Sequence, residues 1–585
     1  MNRILVSLLA VLLIAIAVSG CVQNEEDPRP TKAPVARRAV DPSVYESRLS
    51  KETYTEVIRE NVQVPSFDGK NMDNWVYRPK TDDATKVPVF INFSPYWGNL
   101  APAASTRGDA FSQHMIDYFV PRGYAIVLSS VRGTGNSEGC FDIGGDIEKR
   151  DAVAVVEHFA EQSWSSGNIG AGGKSYDGTT PNGVATLAPP ALKMIFPVSG
   201  ISELYKYNSK GGLAYTQGPI FNTYYYALVG VGVPLGGTPE VDPAKVPLYA
   251  DDIACADLAQ TQGNGVGSGA TGDYNAYWTE RNYTKDAEKI TAAVFFVHGF
   301  TDWNVKPDHI LPFINQIPES TPKKVWLHNW TVSDASSDGH VYPRRDDWNT
   351  TMLRFMDETL KGIDTGIFDE PAFQIQDSTG TWRWEEKWPP ARAVATPFYL
   401  GFKEGKGALD PTEPLRSGIR TFEDNGQGPS GSTTTGTTFL RYETLPLESD
   451  LHYAGVPRVH VLASSSEPVG KIVATLYDVS PDGTARLVNY GGLNFRHREA
   501  LESPQTVLPD EVYSINVELF PQDDVVLGGH TLVLMLAGGG ADFLNQPTQA
   551  RISVHEDEKA FLELPIITTA NLEEPQPIQI PCFAC

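Results

Sequence analysis

The chain is poor in cysteine, with 5 in 585 residues. That excludes a small scaffold held together by bridges in place of a core. Histidine is also sparse, at 11 residues, and no His-Glu-x-x-His or comparable ligand spacing occurs. A metal-dependent mechanism is therefore not expected. Basic residues are outnumbered, 47 Lys and Arg against 72 Asp and Glu, for a formal charge of −25. Such a surface repels phosphate, so nucleic acid is excluded as a partner. Beyond Val18 no apolar run is long enough to cross a bilayer. No internal repeat is visible. The glycines of VRGTGNSEG, at 133, 135 and 139, have the wrong spacing for a dinucleotide loop. No cofactor is expected.

What is present is an ordinary globular composition, 41% hydrophobic and 20% charged, in a chain long enough for more than one domain. The N-terminus MNRILVSLLAVLLIAIAVSGC has one basic residue, an apolar run from Ile4 to Val18, and small residues before Cys21. This is the layout of a secretory signal. The run V-S-G-C resembles a lipobox, in which the cysteine becomes the lipidated N-terminus. Residues 1–20 are thus expected to be a signal peptide, with Cys21 the lipidation site. The mature protein would be an extracytoplasmic lipoprotein that touches the cell membrane only through its lipid. Four cysteines then remain, and of the three pairings open to them the expected one is Cys140–Cys255 with Cys582–Cys585. Nothing in the sequence fixes an oligomeric state, and a homo-oligomer is compatible with it.

Residues 21–50 are polar, with Pro28, Pro30 and Pro34, and read as a tether. From there to about residue 385 short β-type runs alternate with helical patterns. V-P-V-F-I-N-F, Y-A-I-V-L-S-S, L-K-M-I-F-P-V and A-A-V-F-F-V-H are near-continuous apolar runs, as in strands buried on both faces. Asp146 to Gln162 reads as a helix with Val153, Val156 and Phe159 facing inward. The alternation predicts a parallel sheet covered by helices. Residues 203–288, rich in Tyr, Gly and Pro, interrupt it and are expected to be an inserted lid. Residues 386–566 lose helical periodicity and read as an antiparallel sandwich or jelly roll, with 567–585 a tail.

The stretch IGAGGKSYDGTTPNG carries the chemistry. A strand end, a tight turn at Ser175 and a helix start form the context of a nucleophile elbow, which lifts the hydroxyl above the sheet. The strict pattern wants glycine at 177; Asp177 stands there, and Gly178 follows. A serine nucleophile needs a base held by a carboxylate. In α/β-hydrolases these follow in the order Ser, Asp, His. Asp302 comes just after a buried strand, and His340 lies in a glycine-containing loop after the next one. Asp308, Asp334 and Asp338 are rival carboxylates. His298 and His328 fall within strands and read as structural. One oxyanion donor is expected to be the backbone N–H of Tyr176, and Tyr96, after the third strand, offers a phenol.

WSSGNIGAGGKSYDGT, with VRGTGNSEG before it and HGFTDWNVKP and DGHVY after it, resembles the Xaa-Pro dipeptidyl-peptidase family of serine peptidases. Related cocaine-esterase-like and acylase-type hydrolases share much of this pattern. The likeness covers about residues 55 to 565, including P-L-E-S-D-L-H-Y-A-G-V-P of the β-rich part. It implies an α/β-hydrolase core with a lid, a C-terminal jelly roll, the triad Ser175, Asp302 and His340, and an oxyanion hole of Tyr96 and Tyr176. The family pattern G-x-S-Y-x-G also accommodates Asp177. Such an enzyme releases Xaa-Pro dipeptides from peptides with proline at position two, and must bind a free α-ammonium. Glu203 and Asp177 are the candidate carboxylates, and Trp303, Tyr205 and Trp97 candidate walls of a proline pocket. An esterase or α-amino-acid ester acylase is the alternative within the class. A non-catalytic binding lipoprotein on the same fold is the alternative outside it.

Overall fold

In the computed structural model the structure describes residues 39–96, 110–216, 272–329, 345–403, 405–412 and 417–567. Cys21, Trp97, most of the expected lid, His340 and the tail lie outside them. The first sheet is built from β1 (Val57–Pro65), β2 (Asn71–Pro79), β3 (Val87–Ser94), β4 (Ala125–Ser130), β5 (Ser165–Lys174) and β6 (Leu192–Val198). A short hairpin of β7 (Ser209–Lys210) and β8 (Leu213–Ala214) follows. The sheet then continues with β9 (Ala293–Gly299), β10 (Lys323–His328), β11 (Phe373–Gln376) and β12 (Trp382–Glu385). The spatial order is β1-β2-β4-β3-β5-β6-β9-β10-β11-β12. From β4 to β11 neighbours are parallel, while β1, β2 and β12 pair antiparallel at the edges.

The apolar runs account for this sheet. β3, β4 and β9 are buried at every residue, so alternate side chains feed two cores. Val89, Ile91 and Phe93 join Val127, Ile169 and Ala171 on one face. Phe90 joins Ile126, Leu128, Phe196, Phe295 and Trp326 on the other. The first face is covered by the helix Asp146–Ala160, the second by Ala110–Phe119 and Trp348–Lys361. The helix expected to reach Gln162 ends at Ala160, and Val153 is only half-buried. The buried stripe runs instead through Glu148, Ala152, Val155 and Phe159, at the spacing that keeps side chains on one helical face.

Within the segment expected as a tether, residues 41–50 pack on this domain. Tyr45 is buried, with the Arg354 guanidinium 3.9 Å from its ring centroid, and Ser50 N–H donates to Asp357 Oδ2 at 2.8 Å. Cys140 is disulfide-bonded; the other four cysteines lie outside the described residues.

Among the described residues from Ala393 to Ile567 the regular structure is a sheet of 13 strands and a 3-10 turn at Phe495–His497, with its own core of Val459, Val461, Leu476, Leu534 and Leu562. Four of its strands are Arg458–Ser465, Lys471–Val479, Tyr513–Glu518 and Thr531–Ala537.

Candidate active site

Ser175 sits where β5 turns into the helix Tyr176–Ala185. Its backbone has φ 65° and ψ −123°. A side chain rarely adopts this conformation, which costs about 1–3 kcal/mol, and such strain gathers at functional sites. Fixed hydrogen bonds hold it. Ser175 N–H donates to Val198 O at 2.9 Å, and Ser175 O accepts from Gly178 N and Thr179 N at 3.0 Å. The turn also needs two glycines. A Cβ at Gly173 would collide with the Asn92 amide, and one at Gly178 would lie 2.8 Å from Gly173 O. Every residue of the following helix is buried, yet Ser175 itself is half-exposed. Ser199 also has positive φ, 47°, but is fully buried. Strain alone does not mark a nucleophile. What sets Ser175 apart is that its strained backbone carries a half-exposed hydroxyl at a helix N-terminus.

Strand register brings the other residues to the same edge. Lys174 pairs with Val198, Val198 with Val297 and Val297 with Trp326, in one rank across β5, β6, β9 and β10. Ser175 follows the first of these, and Asp302 the short turn after β9. Asp302 is fully buried, and its Oδ1 accepts from Asn304 N at 3.0 Å and Val305 N at 2.9 Å. Two backbone donors fix the carboxylate's orientation. His340 follows β10 in the sequence and lies outside the described residues, as do Asp334 and Asp338.

The rival histidines are enclosed. His298 and His328 are both fully buried in the sheet. His298 Nε2 lies 2.7 Å from Val305 O, so that nitrogen carries its proton. Burial, with His298 nearby, pushes His328 down to about 3. It stays neutral and is a poor proton acceptor. Asp308, the rival carboxylate, is 3.4 Å from Lys210 Nζ.

Tyr96 lies two residues past β3, half-buried against the first core, with its N–H donating to Ser94 Oγ at 3.1 Å. Tyr176 opens the helix Tyr176–Ala185 with its ring buried against Phe141. Its phenol donates to Glu148 Oε2 at 2.6 Å. Glu148 also accepts from Thr180 Oγ1 and from Gly144 N, both at 2.9 Å. Burial pushes this carboxyl up to about 7, against the three hydrogen bonds. Among the substrate-binding candidates, Asp177 is buried beneath Gly173. Glu203 is buried and pairs with Lys206 Nζ at 3.2 Å. Trp303 is half-buried, its ring centroid 5.1 Å from Tyr490 and 6.0 Å from Phe520 of the β domain. Tyr205 is almost fully buried, its hydroxyl donating to Gly272 O at 2.7 Å.

Residues 68–332 match the model of the X-Pro dipeptidyl-peptidase S15 family, and residues 365–569 that of the X-Pro dipeptidyl-peptidase C-terminal non-catalytic domain. The chain belongs to the S15 family. It is a serine hydrolase. A Bacillus cereus protein named "Putative Xaa-Pro dipeptidyl-peptidase" is 27% identical over 90% of this chain and 92% of its own length. A Streptococcus pneumoniae Xaa-Pro dipeptidyl-peptidase is 27% identical over 72% of this chain and 60% of its own. Among solved structures, a CocE/NonD family hydrolase from Staphylococcus aureus superposes with TM-score 0.70 at 18% identity, covering 88% of this chain and 94% of that one. An α-amino acid ester hydrolase gives 0.67 at 18% identity, covering 92% and 100%. These two share the fold: an α/β-hydrolase domain followed by an all-β domain. Ser175 and Asp302 fall within the first S15 match, and His340 between the two matched stretches.

Glu148 is not among the residues that the sequence motifs single out. A signal was available, because it occupies the same helical stripe as Ala152, Val155 and Phe159. A carboxylate on a core-facing stripe needs buried donors.

Proposed function

We propose that this chain is a serine peptidase releasing Xaa-Pro dipeptides from peptide N-termini through an acyl-enzyme. The observation that carries the reading is the strained, accessible Ser175 at the junction of β5 and its buried helix. Family membership supplies the substrate class. Ser175 Oγ attacks the carbonyl carbon of the substrate proline while His340 takes the hydroxyl proton. Asp302, oriented by the Asn304 and Val305 amides, stabilises the imidazolium. The oxyanion is received by the Tyr176 N–H and the Tyr96 phenol. As the C–N bond breaks, His340 returns the proton to the departing amine. Water then repeats the sequence on the ester and frees the dipeptide.

An aminopeptidase of this kind binds a free ammonium. Glu203 and Asp177 are the carboxylates assigned to it, with Trp303 toward the proline ring. Because Glu203 is already paired with Lys206, a substrate ammonium has to share it. Lipidation of Cys21 places the enzyme on the outer face of the cell membrane, and peptides are its partners. The test compares turnover of Gly-Pro and Ala-Pro anilides with that of butyrate esters. Release from the anilides, lost on acetylating the substrate amine, is expected. Ester hydrolysis without anilide release contradicts the peptidase reading.

A further inference from the structure

The loop that carries Asp302 is held at three points by the β domain. The Phe300 peptide comes first: its N–H donates to His328 O at 2.7 Å, and its carbonyl accepts from Gln522 Nε2, also at 2.7 Å. Gln522 is fully buried and opens the strand Gln522–Val526. The Trp303 ring comes next, against Tyr490 and Phe520. Lys306 is the third point. Its ammonium, fully buried, lies 2.7 Å from Asp542 Oδ2, 4.0 Å from the Tyr215 ring centroid and 3.1 Å from Trp303 O. The neighbouring residue of the same β-domain strand reaches the residue just past β10, since Asp523 O accepts from Asn329 Nδ2 at 2.7 Å.

These ties add to those of the catalytic domain, where the Tyr207 hydroxyl donates to Asn304 Oδ1 at 2.8 Å and His298 Nε2 to Val305 O at 2.7 Å. The two amides on the Asp302 carboxylate, Asn304 and Val305, belong to the loop itself. They orient the group relative to its own loop. A loop of this kind is ordinarily mobile unless its polar groups are tied to a rigid element. Here one such element is the edge of another domain. Two of the ties are a buried amide and a buried ammonium, groups that are costly to bury unless satisfied.

We propose that the β domain helps set the position of the orienting carboxylate, with Gln522, Asp542 and the Tyr490–Phe520 pair fixing where residues 300–306 lie. The inference rests on the assignment of Asp302 as the orienting carboxylate. These are positioning residues: they act on the chemistry through Asp302 and touch no substrate.

Full-length Gln522→Met, which keeps the volume and removes the donor, and Asp542→Asn test this. They are compared with Leu534→Ala, in the β-domain core and away from the loop, and with Asp302→Asn. Expected for the first two is a kcat lowered about tenfold or more, with KM within about twofold. The acid limb of the kcat/KM profile should move to lower pH, because a misplaced Asp302 stabilises the imidazolium less. Leu534→Ala should lower Tm and leave kcat and that limb unchanged. Native kcat and pH profile in folded Gln522→Met and Asp542→Asn overturn the inference. So does a Leu534→Ala variant whose kcat and acid limb move in the same way. If Gln522→Met does not fold, the half-exposed Asp542 carries the test alone. An Asp302→Asn variant with native kcat overturns the assignment beneath the inference, a result distinct from failure of the inference itself.

Discussion

The Tyr176 phenol donates a 2.6 Å hydrogen bond to Glu148, so the residue whose amide is assigned to the oxyanion is anchored from behind by a buried acid. Burial holds that acid at about 7 in the fold, against 4.5 for an ordinary glutamate. Between those values the unfolded chain loses a proton that the folded chain keeps. Stability therefore falls as pH rises from 4.5 through 7. Glu148→Gln removes this titration. The stability difference, variant minus native, should grow in the variant's favour by about 3 kcal/mol from pH 4.5 to pH 8. Thermal melts across that range read it, and a flat difference contradicts it.

On the proposed reading, Ser175 trades stability for reactivity. Ser175→Ala keeps the Cβ and its strain, and should lower kcat by about 10⁶-fold with little change in Tm. Ser175→Gly removes the Cβ at φ 65°. It should be equally inactive and more stable than the alanine variant by about 1 kcal/mol, after the entropy cost of glycine. Denaturant melts of the two variants decide it; equal stabilities would show the turn to be unstrained.

Asp302→Asn preserves an oxygen for the Asn304 and Val305 amides, so the loop should stay folded. Losing the negative charge beside the imidazolium should lower kcat by about 10⁴-fold. Steady-state kinetics beside a melt separate this from unfolding, which would lower both together.

The domains are joined by buried charges at a second place. Arg383 of β12 donates from Nη1 to Asp523 Oδ1 at 2.9 Å, and Trp388 Nε1 and His452 Nε2 lie 2.8 Å from the same carboxylate. Burial pushes Asp523 up, but Arg383 and His452 overcome it and hold it down at about 2. Arg383→Met leaves that charge without its main partner, and should destabilise the protein by about 3–5 kcal/mol. Chemical denaturation measures it, and a loss below about 1 kcal/mol contradicts a load shared across the domains.

The parallel sheet was legible because strands buried on both faces must be apolar throughout, as in V-P-V-F-I-N-F and A-A-V-F-F-V-H. The elbow was legible because its glycines are dictated by contacts too close for a side chain, at Gly173 and Gly178. The β-domain contacts on residues 300–306 were not. Gln522, Asp542 and Tyr490 lie in a different domain from the loop they hold, and nothing periodic or local in the sequence links them. Glu148 falls between these cases: its stripe was readable, but its partners Tyr176 and Thr180 emerge only when two helices pack.

Labelling with a fluorophosphonate probe, followed by peptide mass mapping, tests most directly whether Ser175 is an activated nucleophile. The expected result is one adduct per chain, on the peptide containing Ser175, absent from Ser175→Ala and strongly slowed in His340→Ala. An unlabelled native protein, an adduct on another serine, or undiminished labelling of Ser175→Ala would contradict it.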